Sequence, residues 1–138
     1  MGDLTVNPAL VKPGDNANLL RAIAAVAISA GQTVYRLTDG TIGLADANAG
    51  DPRPTPVGVA CCTAEQAGQP IVFTDDDDDF NPGATTEAGI PYFQSATPGG
   101  ICDASSLVTG LFGSLIGFGK TGNKMKVKLV ISGQEIPT

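Results

Sequence analysis

The chain has 138 residues, which fits one domain with a modest core, and a second domain is not expected. Its formal charge of −6 opposes binding to nucleic acid phosphates, which demands clustered Lys and Arg, and the absence of histidine removes the usual general base, zinc ligand and neutral-pH switch together. Eighteen glycines and ten prolines against five phenylalanines, two tyrosines and no tryptophan predict many turns around a thin core of Val, Ile, Leu and Ala, a core that gains from burial in an oligomer.

Residues 1–20 carry Pro8, Pro13 and Gly14 with only isolated hydrophobes, the pattern of an extended arm. No basic stretch followed by an apolar run opens the chain, so no signal peptide is expected. The apolar run from Ala22 to Ala30 is too short to span a bilayer. Its alanines would suit a helix, but Ile23, Val26 and Ile28 are β-branched and Ser29-Ala30-Gly31-Gln32 breaks the run, so a strand or strand pair is predicted. Gln32 to Thr38 alternates, Asp39-Gly40 supplies a two-residue hairpin turn, and Thr41 to Ala45 returns as the partner strand.

Asn48 to Pro56, rich in proline, reads as a loop before a buried strand over Val57 to Cys62. Gly68-Gln69-Pro70 then turns the chain into a short strand from Ile71 to Thr74. Asp75 to Asp79 are five consecutive carboxylates followed by the turn residues Phe80-Asn81-Pro82-Gly83; self-repulsion predicts a solvated, mobile loop. From Gly89 to Gly133 short apolar runs closed by glycine recur: Ile90 to Phe93, Ile101, Leu107-Val108, Leu111-Phe112, Leu115-Ile116 and Met125 to Ile131. Lys124, Lys126 and Lys128 alternate with Met125, Val127 and Leu129, which gives a strand with one wet face whose lysines would blunt an exposed edge. The fold class is therefore mainly β, with residues 21–138 forming one β-rich domain of short hairpins and Gly/Pro-rich loops behind the arm of residues 1–20.

Side chains able to do chemistry are few. Gly117-Phe-Gly-Lys-Thr-Gly122 has the letters of a dinucleotide loop, but Asn123 to Gly133 reads as strand, so no helix N-terminus awaits a phosphate. As a calcium loop starting at Asp75, the chain offers Phe80 where glycine is required and Thr86 where glutamate is required, which leaves only a loose divalent site as the functional alternative. Cys61 and Cys62 are adjacent, Cys102 stands alone, and without an imidazole to activate them all three read as reduced core fillers made in a cytosol. Ser105 and Ser106 have no histidine to complete a triad.

Taken in order, Ala30-Gly-Gln-Thr-Val-Tyr35, Asp39-Gly40, Leu44-Ala-Asp-Ala47, Pro56-Val-Gly-Val-Ala60, Gly68-Gln-Pro-Ile-Val72, Gly89-Ile-Pro-Tyr-Phe93, Gly99-Gly-Ile101, Gly110, Leu115-Ile-Gly-Phe-Gly119 and Val130-Ile-Ser-Gly133 resemble the head decoration, or capsid cement, proteins of tailed bacteriophages. The resemblance spans residues 22–133. It implies a small β-barrel domain of the β-tulip or β-clip kind, made in the bacterial host cytoplasm and carried as a homotrimer on the outer capsid surface of the virion. The partner would be the major capsid protein, and the resemblance implies neither catalytic residue nor cofactor, nucleic acid or membrane. Relatives reach across capsid subunits with the N-terminal segment, which puts the capsid-binding residues at Leu4, Val6, Leu10 and Val11. On this view, deleting residues 1–18 leaves the domain folded and abolishes attachment. Alternatives are a tail-tube, tail-tip or spike domain, or a small ligand-binding barrel using Ser, Lys120 or the aspartates.

Overall fold

Among the described residues nine strands build the body: β1 (Asn18–Ile23), β2 (Thr33–Arg36), β3 (Ile42–Leu44), β4 (Gly58–Ala60), β5 (Pro70–Phe80), β6 (Pro91–Gln94), β7 (Ile101–Asp103), β8 (Phe112–Lys120) and β9 (Lys124–Glu135). The computed structural model describes residues 4–45, 56–95, 99–103 and 112–135; the sequence features at Ser105 to Leu111 and most of the proline loop before Pro56 lie outside them. Pairings between named strands are all antiparallel, in the order β3-β2-β4-β5-β9-β8-β6-β7 with β1 added on β5. The fold is mainly β, one sheet curled into a half-barrel, and among the described residues helix is limited to a 3-10 turn at Pro8–Leu10.

The eleven-residue β5 joins the two halves of the core. Its first half pairs with β1 and β4 and sends Ile71 and Phe73 into a cluster with Ala24, Ile28, Val34, Ile42, Ala60 and Ala64. Its second half pairs with β9 and sends Phe80 into a cluster with Val59, Tyr92, Ile101, Ile116, Met125 and Val127. The curl brings the ends of the sheet together. Thr33 N–H donates to the Gly99 carbonyl at 2.9 Å, and Gly99 N–H to the Ala45 carbonyl at 2.7 Å. At the same place the fully buried Gln94 accepts from the Thr33 hydroxyl and donates to the carbonyls of Ala45 (3.1 Å) and Ser95 (3.0 Å), so no polar atom of the amide is stranded in the core.

The predicted hairpin forms, but with a longer turn. Leu37 N–H reaches the Thr41 carbonyl and Gly40 N–H the Leu37 carbonyl, leaving Thr38-Asp39-Gly40 as a three-residue loop in which Gly40 takes the left-handed position at φ 89°. Asp39 fixes this turn by accepting from both the Thr41 hydroxyl (2.6 Å) and the Thr41 amide (3.0 Å), which together hold its carboxyl below the ordinary value. The predicted strand at residues 21–30 is β1 followed by isolated bridges, Ala24 to Ile42 and Ile28 to Ala64.

Two further expectations are corrected. Asp75 to Asp79 are not a loop: they form the second half of β5, because β9 lies alongside and supplies lysines to the same face. For the same reason those lysines do not blunt an edge, since β9 is an interior strand between β5 and β8. In the Gly117 to Gly122 motif, Gly117 and Gly119 serve packing in a hairpin and Gly122, at φ 77°, serves its turn. A methyl group on Gly117 would collide with the Lys126 carbonyl, and one on Gly119 with the Glu87 carbonyl, so the chain can pass there only without side chains.

Candidate interaction surface

The N-terminal segment is laid along the domain from Leu4 onward. Leu4 N–H donates to the Ile101 carbonyl at 2.7 Å, covering the outer edge of β7; Asn7 N–H donates to the Gly83 carbonyl at 2.8 Å; Lys12 and Asn81 exchange a pair of backbone bonds. Asn7 caps the short turn by accepting from Ala9 N–H at 3.1 Å, and Pro8 sits where no donor is needed. Of the four residues assigned to capsid contact, Leu4 and Val11 pack against the second core cluster, while Val6 and Val11 lie against Gly31. Leu10 alone is turned out, 58% exposed at the end of the turn. Beside it is a shallow depression lined by Thr5, Asn81, Gly83, Thr85 and Asn123.

The anchor of the segment is Asp77, a residue that the acidic run concealed. It is buried, and its two carboxylate oxygens have separate tasks: Oδ2 accepts from Gly14 N–H at 2.8 Å, and Oδ1 from Asp79 N–H at 3.0 Å. The second bond belongs to a β-bulge. The register slips between Asp77 and Phe80, so Asp78 and Asp79 both face out while Phe80 returns to the core. A carboxylate accepting an amide two residues on is a recognisable turn signal, yet inside five aspartates nothing marks which one does it.

Outside, the bulged strand and its neighbours carry a charge ladder. Lys128 lies 3.7 Å from Asp76, Lys126 3.1 Å from Asp78, and Lys124 and Lys120 lie 3.2 and 3.5 Å from Asp79. The hydrogen bond and charge of Lys124, with Lys120 behind it, hold the Asp79 carboxyl below its ordinary value. Burial, with the nearby Asp77 charge, pushes the Cys61 thiol up to about 12, so it stays protonated and unreactive at neutral pH. Among the described residues no group of three or more Cys, Asp or Glu side chains is placed to hold a metal ion, and no helix is long and apolar enough to cross a membrane.

A further stripe of apolar surface runs along β1 and beyond it, with Leu19, Ile23 and Val26 each 45% exposed. It leads to an open groove of about 480 Å³ lined by Ala25, Val26, Ala27, Tyr35, Leu37 and Leu44. Polar groups are a minority in its walls. No protein-family model matches this chain, and no curated protein matches it either.

Proposed function

We propose that this protein is a head decoration protein of a tailed bacteriophage, bound as a trimer to the outside of the expanded capsid and cementing its subunits. The half-barrel is then a member of the β-tulip or β-clip style of domain. The observation that carries the reading is the N-terminal segment: docked through Leu4, Asn7, Lys12 and Gly14, it holds the exposed Leu10 on a fixed turn at the surface. An apolar side chain presented on a backbone already ordered loses little entropy when a partner covers it.

Cementing needs no chemistry. A clamp that binds only the closed arrangement of neighbouring capsid subunits stabilises that arrangement by mass action, and a trimer holds three weak contacts at high effective concentration. The net negative charge suits a place outside the shell, away from the packaged genome. The reading is tested by adding the purified protein to expanded heads that lack it and imaging them by electron cryomicroscopy, with the Leu10→Glu variant in parallel. Trimeric density on the shell with the natural chain, and loss of occupancy with the variant, is the expected result. Density on the tail would transfer the protein to the tail components, and unbound heads would overturn the proposal.

A further inference from the structure

We propose that the outer edge of β1 is a docking site for an extended segment of a different protein, one that carries a carboxylate between two apolar residues at alternate positions. The inference concerns a surface separate from Leu10 and stands whether or not the protein decorates a capsid.

The backbone directions make the case. Val72 points its carbonyl towards β4, where it accepts from Cys61 N–H at 2.8 Å, so Ile71 and Phe73 must face β1, and their register partners Ala22 and Leu20 face back. Leu19 and Arg21 therefore turn both their N–H and C=O groups away from β5. Among the described residues no strand pairs with them there; only beyond Ile23 does β3 close that side, through the bridge from Ala24 to Ile42. An unpaired edge of this kind is a template for strand addition, in which main-chain bonds give affinity and alternate side chains give selectivity.

Side chains on this edge name the occupant. Leu19 and Ile23 are exposed, and between them Arg21 is exposed and, among the described residues, makes no side-chain hydrogen bond or ion pair, whereas Lys120, Lys124, Lys126 and Lys128 are all matched to aspartates. A strand lying on this edge sets one of its residues against Arg21, and a carboxylate there gains a charge pair that none of the described residues provides. A second copy fits poorly. Antiparallel pairing of β1 with itself about Arg21 opposes two arginines. A ring built by strand pairing needs another free edge, and those of β3 and β7 are met by Ala25 and Leu4.

The test uses the full chain, isotope-labelled for NMR, and a short capped peptide of alternating valine and threonine with a central glutamate. Amide shifts confined to residues 18–23 are expected. Exchanging the peptide's glutamate for lysine should weaken binding roughly tenfold. The Arg21→Glu variant, at an exposed position, should reverse that preference, and methylating the peptide's backbone nitrogens should abolish binding to both proteins. Equal binding of the two peptides, shifts elsewhere, or no shifts would overturn the proposal. So would slowed exchange of the Leu19 and Arg21 amides that grows with protein concentration, since that would give the edge to a second copy.

Discussion

Asp77 differs from its four acidic neighbours in being buried with both oxygens employed, and the consequence of removing it follows from that. In Asp77→Ala, Gly14 N–H and Asp79 N–H lose a charged acceptor, so the bulge and the N-terminal segment loosen together; a loss of about 2–3 kcal/mol is expected in urea denaturation. Asp77→Asn keeps the bond to one amide but turns an NH2 group on the other, and should fall between the natural chain and the alanine variant. Asp79 makes a different prediction. Lys124, with Lys120 behind it, holds its folded carboxyl below the ordinary value, so its contribution is complete above the unfolded value and vanishes as pH falls through the folded one. Thermal midpoints measured downward from pH 5 should decline most steeply below about pH 4. The Lys124→Met variant should flatten that decline.

At the level of strands, the charge ladder converts five adjacent carboxylates from a reason to stay solvated into one side of a pairing surface. Asp78 and Lys126 form its simplest rung, free of the shared contacts around Asp79. A double-mutant cycle with Asp78→Asn and Lys126→Gln should return a coupling of roughly 0.2–1 kcal/mol that shrinks in high salt. The rung also explains what the sequence concealed. Alternation of Lys124, Lys126 and Lys128 with apolar residues was enough to predict β9, and the glycine-bounded run Ile90 to Phe93 marked β6, because these signals are local. The strand character of Asp75 to Asp79 depends on lysines more than forty residues later, and no local pattern carries that information. The same holds for Leu4 and Val11, whose partners in the second core cluster come from distant strands, so their irregular spacing resembles a free arm.

The whole molecule is then a half-barrel whose ends are tied by Gln94 and Gly99 and whose N-terminal segment closes one edge, which alters what a truncation should do. Removing residues 1–18 strips the cover from β7, the partners of Asn81 and Gly83, and the packing of Leu4 and Val11. Loss of attachment in such a truncation would therefore be no proof of a binding role, because a loosened domain loses its surface too. Leu10→Glu separates the two effects. The side chain is exposed, its backbone sits in a capped turn, and the substitution leaves Leu4, Val6 and Val11 in place, so the thermal midpoint should stay near that of the natural chain. The truncated chain, by contrast, should melt several degrees lower, about 4 °C for each kcal/mol lost in a domain of this size. On the proposed function both variants should fail to occupy expanded heads, but for different reasons that calorimetry tells apart. If Leu10→Glu binds heads as the natural chain does while the truncation does not, the segment's task is to complete the fold, and the grip on the shell must come from another face.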